Sequence, residues 1–340
     1  MKLLPLGQHN LQILHMLIEI QRDIFNDIED QEKLRKLILD LGYKHRYDYY
    51  IDIPVVEHSE LFRNLYESNK EVIGEYFIRQ TTENNKINYS VSNTNQSNTT
   101  FSLDESIIFF NQPFQIILEN SSNDCYFLNA MINNFKKVAK KIRIFKREHW
   151  LRYEMGGGAD NIINFIEAEK NNHGGQTKFL KCYVLIDSDL EYPLTPNPKR
   201  KKLEEYLEKN KVRYHILEKR EMENYLPDQI VEKVSGDEFI KTYLGLSQPQ
   251  KDYIDLENGF QYNRMSLEKR KPEIFKYYQS LSDVEIEKLR HGLKHLFKNF
   301  KVEFPKLFEE ATQEGLLQIT KNQNDPEELQ NILKDINSLL

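Results

Sequence analysis

Two short apolar runs near the middle of the chain are each followed by acidic residues. Residues 114–118 precede Glu119, and residues 181–186 precede Asp187 and Asp189. Short apolar runs between helices are typical of strands in a parallel sheet that is covered on both faces. The carboxyl ends of such strands meet at one edge, where ligands bind. Because these carboxylates would repel one another there, the pattern indicates a site that a divalent cation shares.

The stretch from 114 to 225 predicts alternating strands and helices, with strands at 114–118, 142–145, 181–186 and 212–217. Right-handed crossovers would make these strands parallel. A glycine turn, formed by Gly156, Gly157 and Gly158, opens the second helix. Its backbone N–H groups favour a bound phosphate, and close packing of the helix on the sheet is an equal alternative.

These motifs in this order resemble the topoisomerase-primase (Toprim) domain. Glu119 follows the first strand, the glycine turn opens the second helix, and Asp187-x-Asp189 follows the third strand. The resemblance implies an α/β fold with a Rossmann-like, four-stranded parallel sheet over residues 109–230.

The segment after the fourth predicted strand, residues 218–226, adds a more specific resemblance. With Glu221 and Glu223 it is similar to a segment at the same place in Toprim proteins of the OLD-nuclease type and their phage-defence relatives. The family usually has Glu-Gly-x-x-Asp after its first strand. Here Asn120 replaces that glycine and one extra residue precedes Asp124.

The resemblance implies metal-dependent hydrolysis of phosphodiester bonds, in which one or two Mg²⁺ or Mn²⁺ ions activate water and stabilise the leaving oxygen. The implied catalytic carboxylates are Glu119, Asp187, Asp189 and Glu223, and the implied metal ligands are these four with Glu221 and Asp124. Lys219 or Arg220 would neutralise charge that develops on the phosphoryl group. DNA and RNA, tRNA included, remain open as substrates of this endonuclease.

A basic segment lies before the glycine turn, with aromatic residues interleaved. Its cations are Lys136, Lys137, Lys140, Lys141, Arg143, Lys146 and Arg147. Basic residues with aromatics indicate phosphate contacts plus base stacking, and a solvated helix face is an equal alternative. A second cluster, residues 199–202, is more typical of a solvated helix start.

Composition and charge are those of a globular protein of several domains: 340 residues, 39% hydrophobic, with a net charge of −6. No apolar run reaches the ~20 residues of a membrane span, so we expect a cytoplasmic protein with no membrane partner. Two cysteines cannot build the zinc module of known primases. The sequence shows no large strand-passage module and no tyrosine that can be placed as a nucleophile, so we do not expect a topoisomerase.

The pattern divides the chain into an N-terminal α+β unit (1–95), a linker (96–108), the Toprim domain (109–230) and a helical C-terminal region (231–340). Within the first unit it predicts helices at 11–28 and 31–41 and strands at 49–53, 72–78 and 87–91.

No Gly-x-x-x-x-Gly-Lys-Ser/Thr motif is present, so the chain should not hydrolyse ATP itself. By resemblance, we expect an anti-phage effector controlled by a separate ATPase of the AAA or ABC type, and a homodimer is left open. The alternative is a non-catalytic Toprim-like subunit that binds nucleic acid or docks the ATPase.

Overall fold

The computed structural model describes residues 16–42, 46–82, 87–95 and 97–340. For residues 79–82 it describes the backbone only. The chain divides into two compact units, Met1–Pro113 with Leu340, and Phe114–Leu339. The boundary lies close to the predicted start of the second domain. Among the described residues, no helix has the length and apolar character needed to cross a membrane.

The first unit contains a four-stranded parallel sheet. Its strands are β1 (Met16–Ile20), β2 (Tyr47–Ile51), β3 (Ile87–Val91) and β4 (Thr100–Phe101), in the order β2-β1-β3-β4. Its helices are α1 (Gln31–Arg35), α2 (Ile53–Val56), α3 (Glu60–Ser68), α4 (Lys70–Thr82) and α5 (Leu103–Asn111). A 3₁₀ turn spans Arg22–Asn26, another spans Ile28–Asp30, and a π-helical turn, Lys36–Asp40, extends α1.

Three predictions for the first unit are wrong. A helix was expected over 11–28, but its described part holds β1 at Met16–Ile20 and a 3₁₀ turn at Arg22–Asn26. A buried parallel strand is a continuous apolar run, which periodicity cannot separate from a helix. A strand was expected at 72–78, which lies within α4. The predicted linker, 96–108, contains β4 and the start of α5, which Ser102 and Glu105 begin with a reciprocal capping box. Residues 11–15 lie outside the described residues.

The second unit contains the predicted four-stranded parallel sheet, in the order β6-β5-β7-β8. Its strands are β5 (Phe114–Leu118), β6 (Leu151–Met155), β7 (Cys182–Ile186) and β8 (Arg213–Ile216). The connecting helices are α6 (Ser121–Asn134), α7 (Lys140–Arg147), α8 (Ala159–Asn171) and α9 (Pro198–Lys209). One strand was wrongly predicted: residues 142–145 lie in α7, and the second strand is β6.

Helices cover the second sheet because its central strands, β5 and β7, are apolar on both sides. Ile162 and Ile166 of α8 and Leu203 of α9 form a core cluster with Val184 and Ile186 of β7. Helix α6 packs against β5 and β6. Every residue of β5 and β7 is buried, as expected for central strands of a parallel sheet.

The remainder of the second unit is helical in the described residues, as predicted. After a 3₁₀ turn, Met222–Tyr225, its helices are α10 (Asp228–Val234), α11 (Glu238–Gly245), α12 (Gln248–Lys251), α13 (Arg264–Arg270), α14 (Pro272–Tyr277), α15 (Asp283–Lys288), α16 (Phe300–Glu303), α17 (Gln313–Thr320) and α18 (Glu328–Leu339). Further 3₁₀ turns of the second unit span Thr177–Phe179, Lys294–Leu296 and Pro305–Glu310. Helix α18 packs against α6 and α7, so this last helix belongs to the same unit as the second sheet.

Candidate functional site

The strand order of the second sheet creates a crevice beyond the carboxyl ends of β5 and β7. The chain leaves β5 toward β6 on one side and then crosses to β7 on the other. Ligands of open parallel sheets bind at such a switch point. Glu119 directly follows β5, and Asp187 and Asp189 follow β7. The structure therefore brings these predicted acids to the same edge.

A buried arginine joins two of these acids. The side chain of Arg200, on the first turn of α9, is 6% exposed, and its Nη2 pairs with Glu119 Oε1 and lies 2.7 Å from Asp189 Oδ2. Burial opposes the charge of Arg200, but both carboxylates outweigh burial and raise its pKa. The interpretation of residues 199–202 as a solvated helix start is therefore wrong for Arg200. This residue faces the acidic edge, which is the edge of the sheet where Glu119, Asp187 and Asp189 lie.

Asp187 contacts the segment that follows β8. Its Oδ1 accepts a hydrogen bond from the backbone N–H of Met222 at 2.9 Å. Burial raises the pKa of Asp187 well above its usual value, and the charges of Glu223 and Glu119 add to the effect. A cation that neutralises the neighbouring carboxylates would oppose this rise in pKa.

Glu221 and Glu223 lie in the segment after β8, and their charges act on Asp187. Burial raises the pKa of Glu221 to about 7, and repulsion from Glu223 contributes. Burial also raises the pKa of Glu223, against the opposing charge of Lys301. The Oε2 atom of Glu221 is buried and has no hydrogen-bond partner among the described residues. A buried carboxylate oxygen of this kind is a natural acceptor for a cation or a donor that enters the site.

The residues around these glutamates have structural roles. Asn224 is fully buried and donates to the carbonyl oxygens of Lys251 and Ile254 at 2.8 and 3.0 Å. The hydroxyl of Tyr225, also fully buried, donates to Glu328 at 2.5 Å. These hydrogen bonds fix the segment to the C-terminal helices and so hold Glu221 and Glu223 at the sheet edge.

Asp124 lies within the same acidic cluster despite the extra residue before it. It is on the first turn of α6, and its Oδ2 accepts from the backbone N–H of Asn120 at 2.7 Å. Burial raises the pKa of Asp124 to about 7, and the charges of Glu223 and Glu119 contribute. The insertion is therefore absorbed without removing Asp124 from the neighbourhood of Glu119.

The two predicted phosphoryl-neutralising cations differ in accessibility. Lys219 is 1% exposed, and its Nζ lies 2.7 Å from Asp252 and 2.9 Å from the carbonyl oxygen of Ile319. Such burial does not fit direct contact with a substrate. Arg220 pairs with Asp255 at 3.3 Å, with its side chain mostly buried. Both residues hold the C-terminal helices to the sheet edge.

Lys301 of α16 is a cation at this site that sequence reasoning missed. Its Nζ lies 3.4 Å from Glu257. Burial acts against its charge, but Glu223, Glu221 and Glu257 outweigh burial and raise the pKa of Lys301. Lys301 lies far along the chain in a Lys/Glu-rich helical region, so no local pattern distinguishes it.

The glycine turn holds α8 closely against the sheet. A Cβ at Gly156 would lie 2.6 Å from Ile162 and 2.8 Å from Ile117, and Gly157 has φ +68°. Their N–H groups donate to the carbonyl oxygens of Leu118 and Glu119. Close packing therefore accounts for both residues. Gly158 is the N-cap of α8, and its phosphate role stays a prediction.

The basic segment lies at the opposite end of the sheet from the acids. The carbonyl of Trp150 accepts from the N–H of Phe114, the first residue of β5. A strand of that length separates this end from Glu119 by roughly 17 Å. Ile142 and Phe145 face inward, and exposed cations are Lys136, Lys137, Lys140, Arg143 and Arg147. Lys146 instead pairs with Asn129 and lies over the ring of Tyr153.

The acidic edge offers the oxygen donors that a hard cation prefers, but its side chains are not arranged around one metal position. Within the part of the chain that the structure describes, no group of three or more His, Cys, Asp or Glu side chains is placed to hold a metal ion. Two of the expected ligands, Glu119 and Asp189, are turned to Arg200. Carboxylate oxygens with raised pKa values and the unpartnered Glu221 Oε2 nevertheless match the donors that Mg²⁺ and Mn²⁺ prefer. Binding would require these side chains to reorient.

Comparison with family models, with curated proteins and with solved structures finds no match to this chain.

Proposed function

We propose that this chain is a Mg²⁺- or Mn²⁺-dependent endonuclease that hydrolyses phosphodiester bonds of DNA or RNA, with a Toprim-type acidic site. The observation that carries the proposal is the convergence of Glu119, Asp187 and Asp189 at the switch point of a parallel sheet. Mutually repelling buried carboxylates cost folding free energy, and a site for a cation is a physical reason to retain them.

The ions would be held by Asp187, Asp189 and Glu119 with help from Glu223, Glu221 and Asp124. When bound, a divalent cation supplies electrostatic stabilisation of the phosphoryl transition state and an activated water. Met222 orients Asp187 through its N–H, and Arg200 and Lys301 are cations that balance the remaining charge.

By resemblance, we propose that the chain is the effector of an anti-phage system and that a separate ATPase controls it. A nuclease that recognises its substrate mainly by backbone charge needs such control.

A second candidate is a non-catalytic Toprim-like subunit that binds nucleic acid or docks the ATPase. The pairing of Arg200 with Glu119 and Asp189 favours it, because an arginine can neutralise these acids without a metal.

Cleavage assays separate the two candidates. The purified chain is incubated with single-stranded DNA, duplex DNA and RNA in Mn²⁺, in Mg²⁺ and in EDTA. With the ATPase present, the nuclease proposal expects cleavage of at least one polymer in a divalent cation and none in EDTA. Binding without cleavage under every condition, with and without the ATPase, would favour the subunit.

A further inference from the structure

A cavity of about 590 Å³ adjoins the acidic edge. Ser188, which stands between Asp187 and Asp189, lines it together with Arg200. The loop after β7 and the end of β8 form its walls. A second cavity, beside Arg220, has only about 70 Å³ and is too small for more than a few water molecules.

The larger cavity has the size and the walls of a small-molecule site. Its apolar and aromatic lining includes Leu190, Ile216, Leu217 and Tyr253. Apolar walls with a few convergent polar groups are typical of ligand pockets of 300–1,000 Å³. Tyr253 and Arg200 line one cavity, and an aromatic ring with a cation suits a nucleobase that carries a phosphate.

Arg200 is the buried cation of the cavity lining. The residue is 5% exposed, and its Nη1 is buried without a hydrogen-bond partner among the described residues. Buried donors are nearly always paired. Asn197 and Lys201, at the amino end of the twelve-residue helix α9, line the same cavity.

The cavity lining contains two acidic residues, Glu218 and Glu204. Both carboxylate oxygens of Glu218 accept backbone N–H groups, from Asn324 at 3.0 Å and Asp325 at 2.9 Å. Glu204, one turn after Arg200 on α9, is the other acid of the lining. Its charge opposes an anion and should weaken binding.

We propose that this cavity holds one unstacked nucleotide of the substrate, with the base against Tyr253 and the phosphate at Arg200. The proposal rests on the proposed nuclease function for its substrate class, and it makes that substrate single-stranded at the site. It also places a phosphate next to Asp189, the carboxylate that shares Arg200.

The test uses the full chain and the phosphorylated dinucleotide pTpT, titrated by calorimetry in EDTA so that no cleavage is needed. We expect Tyr253→Ala to weaken binding about tenfold and Tyr253→Phe to preserve it, because a stacked base is the lost contact. Glu204→Gln should strengthen binding. Lys201→Ala should weaken it, whereas Lys209→Ala, on the same helix outside the cavity, should not.

The role of Arg200 is tested by comparing pTpT with unphosphorylated TpT. The wild-type chain should prefer pTpT, and Arg200→Lys, which keeps the charge beside Glu119 and Asp189, should reduce that preference. Melting temperatures close to wild type show that each variant is folded.

Absence of pTpT binding by the wild-type chain overturns the proposal, as does equal binding by Tyr253→Ala and Tyr253→Phe. Cleavage of single strands without pTpT binding would leave the nuclease function standing and remove the cavity proposal. Selective pTpT binding without cleavage in any metal would support the cavity and contradict the proposed catalysis.

Discussion

Burial, with repulsion from neighbouring carboxylates, raises the pKa values of several carboxyl groups near the ends of β5 and β7. The pKa values of Asp124 and Glu221 are each raised to about 7, chiefly by burial. The folded chain therefore binds more protons than the unfolded chain between about pH 4 and pH 7. Stability from these groups is present below pH 4 and is lost as pH rises through 7.

We expect the metal-free chain to unfold more easily at pH 8 than at pH 5. Replacing both groups, in Asp124→Asn with Glu221→Gln, should reduce this difference by on the order of 5 kcal/mol. Urea unfolding in EDTA at the two pH values measures it. Asp283→Asn with Glu285→Gln, on exposed helix α15, is the matched control. An identical pH dependence in wild type and the double variant would show that these groups ionise normally.

Single residues differ in how far their positions follow from the sequence. Glu119, Asp187 and Asp189 could be placed because each follows an apolar strand, and strand ends of a parallel sheet converge. Arg200 and Lys301 could not. Arg200 lies in a run of lysines, and only the packing of α9 turns it inward, while Lys301 reaches the acids through the fold of a distant helix.

Helix α7 is an element whose type the local sequence pattern predicted wrongly. Residues 142–145 alternate like a strand, but Ile142 and Phe145 are also three apart, and both are buried as one face of a helix. The second strand, β6, was missed because its residues Leu151–Met155 are mostly exposed or half-buried and carry charges. Central strands β5 and β7, buried throughout, were predicted correctly.

The exposed cations of α7 and of the turn before it, residues 136–147, have a testable role. If they contact phosphates, Lys136→Ala, Lys137→Ala and Arg143→Ala together should lower the salt slope of nucleic-acid binding by about one for each lost contact. The pTpT affinity should not change, because these cations are at the other end of the sheet. Binding to a 30-nucleotide strand at several salt concentrations measures the slope.

Matched alanine changes at the exposed residues Lys269, Lys306 and Lys321 are the control for that slope. A slope equal to that of the wild-type chain in the α7 variant would identify these cations as a solvated surface.

At the scale of the whole molecule, both sheets share one strand order but differ at the switch point. In the first unit, Asp23 accepts from Ser92 Oγ and from the N–H groups of Asn93 and Thr94. Although burial acts in the other direction, these hydrogen bonds lower the pKa of Asp23. The switch point of the first sheet is thus tied by hydrogen bonds, whereas that of the second gathers acids with raised pKa values.

The proposed control by an ATPase concerns the whole molecule. We expect the chain alone to be quiet in cells and to degrade nucleic acid after phage challenge only when the proposed ATPase partner is present. Growth and nucleic-acid integrity, with and without that ATPase, are the measurements. Equal cleavage by the chain alone, with no ATPase in pull-downs, would indicate a free-standing nuclease.

The most direct test of the central claim is the change Asp187→Asn, measured as the rate of metal-dependent cleavage. Asparagine retains an oxygen for the N–H of Met222 and removes a buried acid, so the variant should melt at or above the wild-type temperature. We predict that its cleavage falls on the order of 10³-fold or more, while Asp283→Asn cleaves normally. Wild-type cleavage rates in a folded Asp187→Asn variant would contradict the assignment of this edge as the active site.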